Sequence, residues 1–153
     1  MVYAAAVAAI YAALTFMLQP ISFGPWQVRV SEALCVLPAL FPAAIPGLAV
    51  GCLIANMAGG LGLPDIIFGT LATLAAALLT HKAKNHPAWI PFAPVVINAV
   101  VVGIILYYMA GEPLWFSMMT VGVGQLIACY GLGLPLYFAL KKYGSRLWDR
   151  LLG

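Results

Sequence analysis

Charged residues are almost absent from the first half of the chain, and this scarcity constrains the fold more than any other feature. Between Met1 and Thr80 the acidic and basic residues are Arg29, Glu32 and Asp65. Over all 153 residues, 7% are charged and 65% are hydrophobic, whereas a soluble domain carries roughly 25% charged residues. A domain in water needs polar groups on its surface, and lipid removes that requirement. We therefore predict an all-α integral membrane protein that crosses the bilayer several times.

The uncharged stretches predict which helices cross the membrane. A membrane span needs about 20 apolar residues, and turns rich in glycine and proline separate stretches of this length here. Four stretches are each interpreted as one helix: residues 3–19, 64–80, 91–110 and 114–140.

Residues 33–58 are harder to assign because all of them are uncharged but prolines interrupt them. Pro38, Pro42 and Pro46 recur every four residues, and interior prolines remove backbone hydrogen bonds and break or kink a helix. We predict two short spans, 31–44 and 46–58, although each covers only about 20 Å. Ser31 is predicted to cap the first of these spans, with Glu32 in its first turn, where a carboxylate favours the helix dipole.

The basic residues predict the orientation of the helices. Lys82, Lys84 and the basic residues after position 140 are expected in the cytoplasm, following the positive-inside rule. Six helices place both termini inside, so that six of the seven Lys and Arg residues are cytoplasmic and Arg29 faces outward. Five helices place all seven inside, so charge alone does not decide between five and six.

With six helices, loops 20–30, 59–63 and 111–113 face outward together, and they bring most of the acidic residues with them. Ionisable groups at membrane depth are costly and tend to mark functional sites. Arg29 and Glu32 are candidates for a ligand site, or for a structural ion pair or interfacial snorkelling. Asp65 is a third candidate, or it simply stabilises its helix N-terminus. Glu112, in a Gly-Glu-Pro turn, is expected to be solvated only.

Three amides lie in otherwise apolar stretches, and two further residues lie in the first outer loop. Asn56, Asn98 and Gln125 either hydrogen-bond between helices, the common use of such residues, or line a ligand pocket in the outer half of the bundle. Trp26 and Gln27 are candidates to cap that pocket, although a tryptophan near an interface is also a common membrane anchor.

The first helix carries small residues four positions apart, which let a second helix approach closely. The alternatives are packing within the protein and a docking face for another membrane protein. The residues on these two adjacent faces are Ala4, Ala8 and Ala12, and Ala5, Ala9 and Ala13.

Known catalytic and nucleotide-binding motifs are missing from the sequence. It has no P-loop, no Gly-x-Ser-x-Gly, no His-Glu-x-x-His and no Cys-x-x-Cys, so we expect no enzyme activity, no ATP site, no cofactor and no metal. No basic patch interleaves with aromatic residues, so nucleic acid is not an expected partner.

Several segments resemble one family of transport proteins. They include residues 20–34, with the sequence PISFGPWQVRVSEAL, together with Leu37-Pro38, residues 51–56 (GCLIAN) and residues 65–73 (DIIFGTLAT). Together with the small residues of the first helix, these segments resemble the substrate-binding S components of energy-coupling factor (ECF) transporters. More narrowly, they resemble the QueT family. The resemblance extends over nearly the whole chain, and residues 20–34 are its most specific part.

This resemblance implies a particular architecture and function. S components have six helices, so residues 1–153 are expected to form a single transmembrane substrate-binding domain in a prokaryotic plasma membrane. They bind a vitamin or a nucleobase-like compound near the outer face, and they work with a membrane coupling subunit and two ATPase subunits. The QueT family is assigned to queuosine precursors, which are 7-deazaguanines, whereas some chains of this type are linked to cobalamin.

Two functions of other classes remain open at this point. One is a secondary carrier or channel that works alone, and the other is a structural membrane-assembly protein without a ligand. Co-purification with ATPase subunits distinguishes the first from an S component, and saturable binding of a small molecule excludes the second.

Overall fold

Helices and the turns that join them make up the part of the chain that the structure describes. The computed structural model describes residues 1–23 and 27–152, with side chains up to Gly144. Two segments have π-helical geometry, Asp65–Gly69 and Leu126–Gly133. The regular helices are α1 (Val2–Met17), α2 (Gln19–Ser22), a 3-10 helix (Val30–Ala39), α3 (Ala44–Gly59), α4 (Thr70–Lys82), a 3-10 turn (Pro87–Trp89), α5 (Phe92–Ala110), α6 (Leu114–Gln125) and α7 (Leu134–Leu152). The all-helical prediction is confirmed for these residues.

Two helical stretches are long and apolar enough to cross a membrane. Pro87–Ala110 has 24 residues with a mean hydropathy of 2.3, and Leu114–Gly144 has 31 residues with a mean hydropathy of 1.5. Shorter apolar helices, of 10 to 17 residues, are Val2–Met17, Val30–Ala39 and Ala44–Gly59. Length and composition therefore support at least these two crossings.

The uncharged stretch 33–58 is divided, as its prolines predict. Its first part is the ten-residue 3-10 helix, which contains Pro38 and ends at Ala39, and α3 begins only at Ala44. A 3-10 helix rises about 2.0 Å per residue, so ten residues cover about 20 Å. The prediction that Ser31 caps this segment is wrong. Arg29 holds the N-cap position without a side-chain cap bond, and Ser31 Oγ lies 2.7 Å from Thr15 Oγ1.

The 3-10 helix occupies the centre of the helix bundle. Helices α1, α3, α4, α5 and α6 pack side by side in that order, and the 3-10 helix contacts α1, α3, α4, α7 and the second π segment. Residues 31–38 of the 3-10 helix are all buried. This arrangement places Glu32, and Arg29 just before the 3-10 helix, among several helices of the bundle.

Glycines allow α1 and α3 to pack very closely. A Cβ atom added at Gly51 would lie 2.9 Å from the Ala8 carbonyl oxygen, and one at Gly47 would lie 2.6 Å from the Ala4 carbonyl oxygen. Real Cβ contacts are longer than this, so both positions require glycine unless the helices move apart. Small residues at helix contacts are typical of membrane proteins.

The outer surface of the bundle is apolar along several helices, while its interior contains polar side chains beside an apolar core. Large exposed hydrophobic residues include Ile54 on α3, Leu71 on α4, Ile104 on α5 and Ile127 on the second π segment. Exposed apolar patches of this kind mark contact with lipid or with another protein. Because the buried residues instead include several polar and charged side chains, the interior is the place to search for a site.

Candidate functional site

A polar cluster lies buried at the centre of the bundle, and it unites most of the residues that the sequence analysis selected. Its members come from the 3-10 helix and the residues just before it, from α3, α5 and α6, and from the first π segment. All are at most 4% exposed. The members of this polar cluster are Gln27, Arg29, Glu32, Asn56, Asp65, Asn98 and Gln125. Trp26, the remaining candidate, lies outside the described residues.

The first half of the polar cluster is built around the Arg29 guanidinium. Arg29 Nη1 donates a 2.9 Å hydrogen bond to Asn56 Oδ1, and Nη2 lies 3.5 Å from Asp65 Oδ2. Asn56 Nδ2 donates to the Asp65 carbonyl oxygen at 3.0 Å. The buried guanidinium therefore pairs with Asp65, and the proposed alternative of an Arg29–Glu32 ion pair is wrong. A buried pair of this kind is costly to break from either side.

The second half of the polar cluster is built around the Glu32 carboxylate. Tyr11 Oη donates a short hydrogen bond to Glu32 Oε1, while Cys35 Sγ and Asn98 Nδ2 donate to Oε2 at 2.9 Å and 3.2 Å. Asn98 Nδ2 also donates to Gln125 Oε1 at 3.3 Å. Glu32 thus links the 3-10 helix to α1 and α5, and the amides form interhelical bonds.

π-helical geometry occurs at both ends of the polar cluster. Asp65 begins the first π segment, and Gln125 immediately precedes the second. Such segments are rare and often occur at functional sites. At Gly69, the last residue of the first π segment, an added Cβ would lie 2.8 Å from both Asn56 Nδ2 and Asp65 Oδ1. The backbone therefore approaches the polar cluster too closely for any side chain.

Two cavities adjoin the polar cluster, and they differ greatly in volume. The inner chamber has about 10 Å³, which is close to the minimum for one water molecule. The outer chamber has about 260 Å³. The inner chamber is lined by Gln27, Arg29, Glu32, Gly69, Thr73, Asn98, Val102, Val121 and Gln125. The outer chamber is lined by Phe23, Gln27, Leu61, Leu106, Ala110, Glu112, Phe116, Ser117 and Thr120.

The outer chamber lies where three loops meet. Phe23 and Gln27 come from loop 20–30, Leu61 from loop 59–63 and Glu112 from loop 111–113. The structure thus brings to one end of the bundle the three loops that six helices would place on the same side of the membrane. The interpretation of Glu112 as a merely solvated residue is incomplete, because this exposed side chain also lines the outer chamber.

Gln27 separates the two chambers and lines both of them. It adopts a positive φ of 47°, a left-handed conformation that is uncommon for residues other than glycine and often found at functional sites. Its Oε1 atom is buried without a hydrogen-bond partner, as is the Oγ atom of Ser117 on the outer-chamber wall. A buried polar atom without a partner costs free energy, so each of these atoms is suited to accept a hydrogen bond from a ligand.

Phe23 forms part of the outer-chamber wall and covers the guanidinium of Arg29. The Cζ atom of Arg29 lies 4.7 Å from the centre of the Phe23 ring, a geometry typical of a cation–π contact. The ring also packs on α3, because a Cβ added at Gly59 would lie 2.3 Å from Phe23 Cε1. The aromatic wall and the polar cluster are therefore in direct contact.

The small-residue faces of α1 divide into a buried and an exposed set. Ala8 and Ala12 are buried and Ala4 is half-buried, on the side where Gly47 and Gly51 of α3 pack. This face is therefore occupied within the protein. The neighbouring face is exposed along its length and consists of Ala5, Ala9 and Ala13.

Several side chains that line the chambers or contact the polar cluster were not selected from the sequence. Tyr11 interrupts an alanine-rich helix, and Ser117 and Thr120 are hydroxyl residues one helical turn apart in an apolar helix, a pattern that suggests interhelical hydrogen bonding. Phe23 and Phe116 give no comparable signal, because an aromatic residue in an apolar chain is expected to contact lipid or core. Only the closed bundle shows that these two rings belong to one cavity.

The fold and the cavities define a class of protein, namely a helical membrane protein with an apolar exterior, a buried polar cluster and a chamber at one end. A family comparison is more specific. The model of the QueT transporter family matches residues 1–142, and the chain therefore belongs to the QueT transporter family, as its sequence predicts. This is a transport family and not a catalytic one. Comparisons with curated proteins and with solved structures gave no match.

Proposed function

We propose that the chain is the substrate-binding S component of an ECF-type importer and that its ligand binds in the outer chamber. Residues 1–153 then form a single transmembrane substrate-binding domain. The observation that carries this proposal is the outer chamber itself. It lies at the end where three loops meet, it has about 260 Å³, and two residues that line it, Gln27 and Ser117, each have a buried polar atom without a hydrogen-bond partner.

The volume of the outer chamber favours a small ligand. Pockets for drug-sized molecules have about 300–1,000 Å³, and the outer chamber is just below that range. A 7-deazaguanine is a compact bicyclic ring, whereas cobalamin carries a whole corrin macrocycle and a nucleotide tail. We therefore favour the 7-deazaguanine over cobalamin as the ligand class.

The chamber walls suit a flat ring with a polar edge. Phe23 and Phe116 supply aromatic surface, and stacking of a base on an aromatic side chain contributes about 1–3 kcal/mol. The polar edge then points towards Gln27, whose free Oε1 accepts a ring N–H. Behind Gln27 lie the inner-chamber groups of Arg29 and Glu32.

The carboxylates of the polar cluster are less accessible than the chamber walls. Glu32 already accepts hydrogen bonds from Tyr11, Cys35 and Asn98, and Asp65 faces Arg29. Because Oε2 already accepts two of these hydrogen bonds, bidentate recognition of the ligand by both oxygens of Glu32 requires that one donor leave. We therefore propose that the polar cluster forms the base of the site and fixes the position of Gln27, while the outer chamber holds the ring.

The proposed topology has six membrane crossings with both termini in the cytoplasm. It rests on the meeting of loops 20–30, 59–63 and 111–113 at one end and on the basic residues of the other loops. Single cysteines introduced into a cysteine-free variant test it with a membrane-impermeant thiol reagent on intact cells. We expect Glu112→Cys to react from outside and Lys84→Cys to react only after lysis, and the reverse pattern would refute this orientation.

Energy for transport is proposed to come from partners. The chain has no P-loop, and an S component works with a membrane coupling subunit and two ATPase subunits. The exposed Ala5, Ala9 and Ala13 face of α1 is the proposed contact for the coupling subunit, because small residues permit close helix approach. The surrounding apolar surface is proposed to face lipid.

Calorimetry on the purified protein tests the ligand assignment. We expect saturable binding of a 7-deazaguanine and no binding of cobalamin. Cobalamin binding without 7-deazaguanine binding would replace the proposed ligand, and no saturable binding in a wider screen of vitamins and nucleobases would favour a structural protein. Co-purification of ATPase subunits with the chain distinguishes an S component from a carrier that works alone.

A further inference from the structure

The end of the bundle that lies away from the outer chamber is held together by contacts between several segments. Thr80 Oγ1, near the end of α4, donates a 3.1 Å hydrogen bond to the Ile90 carbonyl oxygen. His81 Nδ1 lies 2.7 Å from the carbonyl oxygen of Pro38, near the end of the 3-10 helix. Ile90 also belongs to the same buried apolar cluster as Tyr137 of α7. The end of α4, the end of the 3-10 helix, the chain just before α5, and α7 therefore meet here.

The length of α5 separates this end from the outer chamber. Helix α5 begins at Phe92, two residues after Ile90, and ends at Ala110, which lines the outer chamber. Its 19 residues span about 28 Å, which is close to the thickness of the hydrocarbon core of a bilayer. When the outer chamber lies at one surface of the membrane, the end with Ile90 therefore lies at the other.

Four exposed lysines lie at this second surface. Lys82 is the last residue of α4, and Lys84 follows it by two positions. Lys141 and Lys142 lie on α7, and Lys141 Nζ is 5.6 Å from the centre of the Tyr137 ring. Lys82, Lys84, Lys141 and Lys142 together are called the basic end.

The basic end has no acidic partner among the described side chains. The two carboxylates of the polar cluster are buried in the bundle, and Glu112 lines the outer chamber. Asp149, the remaining acidic residue, lies between Arg146 and Arg150 in the sequence, so the chain after position 144 adds more positive than negative charge. The basic end therefore presents an excess of positive charge to whatever lies against it.

Exposed aromatic side chains share this surface with the lysines. Trp89 and Phe92 are 59% and 47% exposed, and their ring centres are 5.1 Å apart. The Tyr130 hydroxyl group donates a 2.9 Å hydrogen bond to the Ala88 carbonyl oxygen, which fixes the turn that carries Trp89. Tryptophan at the ends of membrane helices lies at the level of the lipid head groups. The aromatic pair thus favours a lipid surface at this end over the acidic surface of a protein.

We propose that the basic end binds anionic phospholipids in preference to zwitterionic ones. The lipid phosphates lie beside the lysine ammonium groups, while the rings of Trp89 and Phe92 extend into the head-group region. Anionic lipids attract basic segments next to the membrane, and long lysine side chains reach the interface while their stems stay on apolar surface. Lys84 and Lys141 are on separate segments, so a lipid that contacts both also links the loop after α4 to α7.

Native mass spectrometry of the purified full-length protein in detergent tests this proposal. The probes are phosphatidylglycerol and phosphatidylcholine with identical acyl chains, so that a difference in binding reports the head group. Phosphatidylglycerol should bind about tenfold more tightly, since four exposed charges act together and water screens each of them. A higher ammonium acetate concentration should reduce this ratio. Equal binding of the two lipids would overturn the inference.

Substitutions of the lysines decide whether the basic end causes the preference. The variant Lys82→Gln/Lys84→Gln/Lys141→Gln/Lys142→Gln should bring the affinity ratio close to one, whereas Lys→Arg at the same four positions should keep it, because the charge is retained. Asn85→Ala, which changes an exposed neutral neighbour of Lys84, is the control and should also keep the ratio. All these side chains are exposed, so the unfolding temperatures should match that of the parent protein.

Two results for the glutamine variant would contradict the proposal. An unchanged affinity ratio would show that the lipid preference arises elsewhere on the protein. An unchanged ratio combined with loss of co-purification with the coupling subunit would assign the four lysines to a protein partner instead. Because the lipids are added in detergent, neither result depends on the proposed membrane orientation or on the ligand of the outer chamber.

Discussion

Arg29 Nη1 donates a 2.9 Å hydrogen bond to Asn56 Oδ1, and through this contact the end of loop 20–30 is fixed to α3. The same guanidinium lies 3.5 Å from Asp65 Oδ2 at the start of the first π segment. Three separate segments of the chain therefore share one buried cation. Its position below Phe23 connects the stability of the bundle to the shape of the outer chamber.

Removal of the buried cation is predicted to destabilise the protein strongly. Arg29→Met should lower the free energy of unfolding by about 3–5 kcal/mol, because Asp65 is left as a buried charge without its partner. The double variant Arg29→Met/Asp65→Asn should be less destabilised than Arg29→Met, since the unpaired charge is gone. Thermal unfolding of the detergent-purified variants measures this. Equal stability of the single and double variants would show that the ion pair has no structural role.

A methyl group at Gly69 is predicted to disturb the polar cluster. Gly69→Ala would place Cβ 2.8 Å from Asn56 Nδ2 and Asp65 Oδ1, and overpacking of this kind costs typically 1–3 kcal/mol. Gly131→Ala is the matched control, because it lies in the other π segment and an added Cβ meets no atom within 4 Å. We expect a lower unfolding temperature for Gly69→Ala only, and similar losses in both variants would contradict the packing argument.

Much of the fold follows from the sequence because two physical constraints leave few alternatives. The scarcity of charge between Met1 and Thr80 requires an apolar environment, and the prolines at 38, 42 and 46 require a break within residues 33–58. The 3-10 geometry of the segment before that break was not predictable, since runs longer than three or four residues are uncommon. Its form depends on helices that surround it on several sides.

The candidate site was predicted in its polar part and missed in its apolar part. Polar residues in an apolar chain stand out, so Arg29, Glu32 and Asn98 were selected from the sequence, and the structure brings them together. Their role as ligand contacts stays a prediction. Which carboxylate pairs with Arg29 was not predictable, because Glu32 is close in sequence and Asp65 is close only in space. Phe116 was missed since nothing in the sequence distinguishes a ring that lines a cavity from one that faces lipid.

The two alanine faces of α1 are predicted to respond differently to a larger side chain. Ala8→Leu should destabilise the subunit itself by about 1–3 kcal/mol, because Ala8 is buried where α3 packs closely. Ala9→Leu lies on the exposed face and should leave the unfolding temperature and ligand binding unchanged while abolishing co-purification with the coupling subunit. Retained co-purification of Ala9→Leu would exclude this face as the docking surface.

Loss of the Phe116 ring is predicted to weaken ligand binding. Phe116→Ala removes aromatic surface from the outer chamber and should reduce affinity for a 7-deazaguanine by about tenfold, from the 1–3 kcal/mol that stacking contributes. Phe138→Ala is the control, because that ring is 50% exposed on α7 and lines neither chamber. Calorimetry measures both variants. An equal effect of the two substitutions would mean that Phe116 does not contact the ligand.

Uptake into reconstituted vesicles tests the central claim most directly, namely that this chain binds its ligand alone but transports it only with partners. The described spans offer no chain of buried acidic groups from one end to the other, as a proton-coupled carrier often uses, and the sequence has no ATP site. Vesicles with the chain alone should bind a radiolabelled 7-deazaguanine without accumulating it, and addition of the coupling subunit, both ATPases and ATP should produce concentrative uptake. Concentrative uptake by the chain alone would show that it is a carrier and would contradict the account.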